Sequence, residues 1–212
     1  MKGKLLPAIF VATFALSRIP GLLPANFSVA YAFAFCAGVY FRGALAWWLP
    51  LGVMCATDIG LNCYYASHGV QVWDLPDLEN LFFNYAAYAA LILLGRRYSP
   101  QSSFLNLLGG GLFGAILFYL ITNTASWLFN PFHNPEYAKT FAGWLIALTK
   151  GTGGYPSTWE FFRNTFLSGG IFTALFAAAQ QLTAESPADK TAGARAPEAE
   201  PETEAEPEEA NA

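Results

Sequence analysis

Six long apolar runs divide the chain, and their polar interruptions are as informative as the runs themselves. A stretch of roughly 20 apolar residues crosses the hydrocarbon core of a bilayer as a helix. The first run extends from Leu5 to Leu23 and contains Arg18. A shorter second spans Phe27 to Phe41, and a third spans Ala44 to Tyr65. The fourth covers Leu81 to Gly95, the fifth Phe104 to Phe129 and the sixth Phe161 to Leu182. Thr140 to Thr149 is apolar but too short to span, which predicts an interfacial or re-entrant helix. The pattern predicts an all-α, polytopic membrane protein of about six transmembrane helices plus one short interfacial helix.

The loops orient these spans. Short cytoplasmic loops are enriched in Lys and Arg. Lys2, Lys4, Arg42, Arg96 and Arg97 all fall on one side of a six-span arrangement. The other side carries Asp74, Asp77, Glu79, Glu136 and Glu160 beside Lys139 and Lys150. Both termini are therefore expected in the cytoplasm. Trp73, Trp144, Tyr155 and Trp159 are expected in the outer aromatic belt. The beginning, Met1-Lys-Gly-Lys before an apolar stretch, also has the form of a signal peptide, with Ala15-Leu-Ser17 as a cleavage site.

Polar side chains inside a span are costly unless paired or wet, so each is a functional candidate. Arg18 lies near the outer end of the first span, and Asp58 in the outer half of the third with Asn62 one turn later. Asn84 opens the fourth span at its outer end; Asn123 and Trp127 occupy the outer half of the fifth. Arg163 and Asn164 open the sixth, and Asn26 precedes the second on the same side. The inner halves offer only small hydroxyls and apolar groups. Such a one-sided collection predicts an outward-facing polar pocket, with aromatics such as Tyr88 and Trp127 against an apolar ring. The plainer alternative is that Asp58 ties helices together through Arg18 or Arg163, and that these arginines snorkel to the interface.

Composition sharpens this picture. Of 212 residues, 54% are hydrophobic and 12% charged, against about 25% charged in a soluble domain. Nine of the 15 acids and two of the 11 bases follow Leu182, so residues 1–182 carry +3 and residues 183–212 carry −7. The chain thus divides into a transmembrane helical domain (1–182) and an Ala-, Glu- and Pro-rich tail (183–212), expected to be a disordered, solvated cytoplasmic end. This balance excludes a soluble globule, a disulfide scaffold and a nucleic-acid binder.

Other constellations are weaker. Cys36, Cys55 and Cys63 form no CxxC pair and are expected to be buried apolar thiols. His68 and His133 lie in separate outer loops without metal-ligand spacing, so no metal or cofactor is expected. The glycines of Gly109-Gly-Gly-Leu-Phe-Gly114 sit inside an apolar span, where small residues permit close helix packing. Ala8 and Ala12 make a second small-residue face. No Ser/His/Asp or Cys/His set converges within the membrane, which points away from an enzyme.

Asn26-Phe-Ser, Cys36-Ala-Gly-Val-Tyr-Phe-Arg42, Thr57-Asp58, Thr122-Asn-Thr-Ala-Ser-Trp127 and Phe161-Phe-Arg-Asn-Thr165 resemble an uncharacterised family of bacterial multi-span proteins. The resemblance covers most of residues 8–178. The family's layout in turn resembles the substrate-capturing S components of energy-coupling factor vitamin transporters. That likeness implies six helices, cytoplasmic termini, an outward pocket and residence in the bacterial cytoplasmic membrane. It also implies a transmembrane coupling subunit that contacts Ala8 and Ala12 on the first helix. No ATP-binding motif is present, so coupling to ATP hydrolysis requires partner ATPases. The expected function is a substrate-binding subunit for uptake of a vitamin-like small molecule. The competing expectation is a membrane scaffold or interaction protein whose polar cluster is structural.

Overall fold

The computed structural model describes residues 5–183, which form seven α-helices; no strand occurs among the described residues. Lys2, Lys4 and the acidic tail after Thr183 lie outside the described residues. In chain order the helices are α1 (Leu5–Ser17), α2 (Ala30–Tyr40), α3 (Leu45–Ser67), α4 (Leu75–Gly95), α5 (Phe104–Phe129), α6 (Phe141–Thr149) and α7 (Thr158–Thr183).

Local chemistry moves several boundaries away from the hydropathy reading. Helix α1 ends at Ser17 rather than Leu23, with the Ser17 hydroxyl donating to the Phe14 carbonyl at 2.7 Å. Pro20 and Gly21, the latter at φ +79°, then turn the chain. Helix α4 starts at Leu75, six residues before the apolar run. Asp74 caps it by accepting from the Asp77 amide at 3.0 Å, and Pro76 suits the first turn. Asn84 therefore lies more than two turns inside α4 instead of opening it. Ser103 caps α5 and Thr140 caps α6 in the same way, and Asn130 closes α5 in the left-handed conformation.

The core forms around α2. From Val29 to Ala37 no residue exceeds 5% exposure, a burial possible because every second or third side chain is alanine or smaller. Helices α1, α3, α4, α5 and α7 all pack against it. Phe10 of α1 stacks on Phe176 of α7 at 3.8 Å and meets Phe33 and Phe41 edge-on. Helix α2 crosses α4 where Gly38 faces Gly95. A methyl added at Gly38 would lie 2.2 Å from the Ile92 carbonyl oxygen, so the two backbones are in direct contact.

The expected glycine-rich packing surface of α5 is narrower than its sequence. Gly110 lies against the rings of Phe35 and Tyr98, and Gly111 against Thr173 of α7, whereas Gly109 faces open space. Two of the described helices, α4 and α5, are long and apolar enough to cross a membrane. At about 1.5 Å per residue, α1 and α2 rise only about 20 and 17 Å, short of the roughly 30 Å hydrocarbon core. The expected second span is thus a half-length helix enclosed by protein. Cys55 and Cys63 sit on the exposed face of α3, and only Cys36 is the buried thiol expected of all three.

Candidate functional site

A cavity of about 570 Å³ opens at the end of the bundle where α1 and α3 finish and α4 and α7 begin. Its wall is built from six helices, with Ser17 ending α1, and the segment 18–28. Arg18 and Asn26 come from that segment, Tyr31 from α2, Asp58 and Tyr65 from α3. Asn80, Asn84 and Tyr88 come from α4, Phe118, Thr122 and Asn123 from α5, and Thr165 from α7. A smaller cavity of about 180 Å³ shares Asn80, Leu81 and Asn84 and adds Asn62, Val72 and Asp77. One face of α4 therefore links the two.

The main cavity has two charged lining residues, and they neutralise each other. The Arg18 guanidinium pairs with Asp58 Oδ1, and the Tyr85 hydroxyl donates to Asp58 Oδ2 at 2.9 Å. Arg18 Nε is buried without a partner, and its guanidinium lies 5.8 Å from the Phe14 ring centre. This pair closes the α1 end against α3. The segment 18–28 is held at its other end as well: Asn164 Nδ2 donates to the Ala25 carbonyl at 2.9 Å, and the Tyr31 hydroxyl to the Asn26 carbonyl at 3.3 Å. Asn26 itself adopts φ +57°, a conformation asparagine tolerates better than most residues.

The floor is aromatic. Phe118 stacks on Tyr88 with ring centres 5.0 Å apart, and Tyr31 tilts against Phe118 at 4.7 Å. The side-chain amides of Asn80 and Asn84, in the same wall, make no hydrogen bond to any described residue. Asn123, also in the cavity wall, donates to the Tyr119 carbonyl at 2.9 Å, and its amide oxygen accepts no hydrogen bond from a described residue. Carboxamides offer both donors and acceptors. The arrangement can therefore read a flat, uncharged, hydrogen-bonding molecule by stacking on one side and amide pairing at its edges.

Of the residues singled out by sequence, Arg18, Asn26, Asp58, Asn84, Tyr88 and Asn123 meet in the main cavity. The other four stand elsewhere. Asn62 lines the smaller cavity and reaches the Val72 carbonyl at 3.5 Å. Trp127 donates its indole N–H to the Ala138 carbonyl at 2.8 Å. Lys139 donates to the carbonyls of Trp127 and Leu128, so both side chains close the C-terminal end of α5, where a cation complements the helix dipole. Asn164 braces the 18–28 segment from behind, and Arg163 points outward, exposed. Arg18, not Arg163, is thus the partner of Asp58. Ala8 and Ala12 lie on the exposed side of α1.

Sequence reasoning missed Tyr85, Tyr31, Asn80, Thr122 and Thr165. Asn80 was legible in principle, since the Asp74-Leu-Pro-Asp77 cap signal extends α4 back through it. Tyr31 and Tyr85 sit in apolar runs where nothing marks which way a tyrosine faces. Outside the cavity, Glu136 accepts from the Gly153 amide at 3.0 Å, and this holds its carboxyl below the usual carboxylate range. His68 Nδ1 lies 2.8 Å from the Tyr64 carbonyl. Among the described residues no group of three His, Cys, Asp or Glu side chains is placed to hold a metal ion.

A model of a family of unknown function (DUF6580) matches residues 2–191. The chain belongs to that family. The match takes in all seven helices and every residue lining the two cavities. No curated protein and no solved structure matches the chain. Membership in the family therefore brings no activity with it, and function rests on the site's own geometry.

Proposed function

We propose that this protein is a polytopic membrane protein that captures a small, vitamin-like molecule in the cavity and serves as the substrate-binding subunit of an uptake system. The observation that carries the reading is the cavity itself: charge-balanced, floored by stacked aromatics and lined by two carboxamides without partners. Its volume of about 570 Å³ lies within the roughly 300–1,000 Å³ typical of small-molecule sites. A structural tie between helices explains Arg18 and Asp58 but leaves Asn80 and Asn84 without a purpose.

The membrane reading is supported by the outer surface. Only 22% of the apolar stretch of α4 and 39% of that of α5 is buried, an exposure that fits lipid-facing helices better than the core of a soluble globule. Trp48 and Ile59 of α3 and Ile171 and Leu175 of α7 extend the exposed apolar girdle. The short α1 and α2 are compatible with it because helix ends and turns at membrane depth are tolerated where protein or a wet cavity surrounds them. With the cavity outward, both termini lie in the cytoplasm of a bacterial cell and the protein sits in its cytoplasmic membrane. The exposed Ala8 and Ala12 then face a transmembrane coupling subunit driven by separate ATPases.

Two experiments test this. Single cysteines at Ser67, Ser99 and Ser157 in a cysteine-free background should label from outside whole cells at the first and third positions only. Labelling at Ser99 would reverse the topology. Native mass spectrometry of protein purified from its host membranes should show a bound small molecule. Asn84→Trp, which fills the cavity, should remove it without lowering the melting temperature. Retention of the same molecule by that variant would refute the site.

A further inference from the structure

Opposite the cavity, three arginines stand without a counter-charge among the described residues. Arg42 follows the C-terminal cap of α2, and Arg96 and Arg97 follow the last residue of α4. All three are exposed, and none of their side chains makes a hydrogen bond or ion pair with a described residue. The Gly38–Gly95 contact brings the two loops together: a methyl on Gly38 would lie 3.1 Å from the Arg96 amide nitrogen. Every described acid is at the other end. Asp58 lines the cavity, Asp74, Asp77 and Glu79 sit at the start of α4, Glu160 at the start of α7, and Glu136 in the loop before α6.

Helix α7 delivers the rest of the chain to this same end. The Phe10 ring touches both Phe41, next to Arg42, and Phe176 of α7, with centres 5.5 and 3.8 Å apart. Thr183 lies seven residues further along, about 10 Å of helical rise. Residues 184–212 then hold nine acids and two bases, with seven of the glutamates between Glu198 and Glu209. The intervening residues can span up to about 50 Å when extended, at roughly 3.3–3.6 Å each, so the glutamates reach the arginines easily. Tethering of this kind gives an effective concentration in the millimolar range.

We infer that the glutamate-rich segment 198–209 docks on the face formed by Arg42, Arg96 and Arg97. The face is an intrachain anion site, and any acidic partner or anionic membrane surface that uses these arginines has to displace the segment. Position, length and charge all favour this occupant over anionic lipid headgroups. It goes beyond the uptake reading and stands independently of it.

The test uses the full chain, cysteine-free, with spin labels at Ser99→Cys and Thr203→Cys, in bilayers of phosphatidylcholine and of phosphatidylcholine with phosphatidylglycerol. At about 0.01 M salt, where the screening length is about 30 Å, a narrow interlabel distance distribution is expected in both bilayers. At about 1 M salt, where it falls to about 3 Å, the distribution should broaden. Combined Arg42→Gln, Arg96→Gln and Arg97→Gln should broaden it at low salt. So should Glu202→Gln, Glu204→Gln and Glu206→Gln, which leave the helical body untouched. Exchanging the signs, with Arg96→Glu and Arg97→Glu against Glu204→Arg and Glu206→Arg, should restore the narrow distribution. A wild-type distribution as broad as the triple-arginine variant at low salt would overturn the inference and leave the arginines to the headgroups.

Discussion

Asp58→Leu is expected to lower stability by about 3–5 kcal/mol, because it strands a largely buried arginine. Arg18 has its ion pair with Asp58 and one guanidinium nitrogen already without a partner, so no second anion in the cavity wall can replace the carboxylate. The Tyr85 hydroxyl loses its acceptor at the same time. Asp58→Asn keeps the shape and an acceptor, and should retain most of the fold while weakening ligand capture. Arg18→Met combined with Asp58→Leu should recover much of the loss, since removing both charges ends the desolvation penalty. Thermal unfolding in detergent, read beside the yield of bound small molecule, separates these effects. If Asp58→Asn melts as early as Asp58→Leu and the surviving folded protein binds normally, Asp58 is only a tie between helices.

The second large effect lies where α2 crosses α4. Gly38→Ala and Gly95→Ala each place a methyl just over 2 Å from a backbone carbonyl oxygen, of Ile92 and Phe35 respectively. Backbone cannot rotate away as a side chain can, so the helices must separate. Overpacking of a core costs about 1–3 kcal/mol and occasionally more; here the upper part of that range is expected. Gly52→Ala and Gly60→Ala on α3 meet nothing within 4 Å and should leave stability unchanged or raise it by up to about 1 kcal/mol through helix propensity. Equal melting temperatures for Gly38→Ala and Gly52→Ala would show that the crossing is looser than its geometry.

Hydropathy located every described helix, because each one buries or exposes a continuous apolar surface. It failed at the ends, where single hydrogen bonds decide. The Asp74 cap extends α4 by six residues beyond its apolar run, and Pro20 with Gly21 cuts six from α1. Six of the ten candidate residues converge on the main cavity because a polar group set among apolar helices faces either water or a partner. Trp127 and Asn164 are of the second kind, and their partners are backbone carbonyls of Ala138 and Ala25, which no side-chain pattern announces. The depth of Tyr31, Tyr85 and Tyr88 was equally silent: a tyrosine in an apolar run looks the same whether its hydroxyl meets a cavity, a carboxylate or a lipid.

The enclosure of α2 sets an order on how this protein is made. A ribosome completes α2 long before α4, α5 and α7, the helices that cover most of its surface. Until they arrive, eleven apolar residues, too short to cross the hydrocarbon core of the proposed membrane setting, lack the helices that cover them. Contacts between distant parts of a chain form slowly, so the wait is long on the scale of folding. On the proposed membrane reading, the insertion machinery has to shelter α2 through the synthesis of some 140 further residues, up to the end of α7 at Thr183. A chain arrested before α7 would present an unshielded α2 to quality control and be a natural target for degradation.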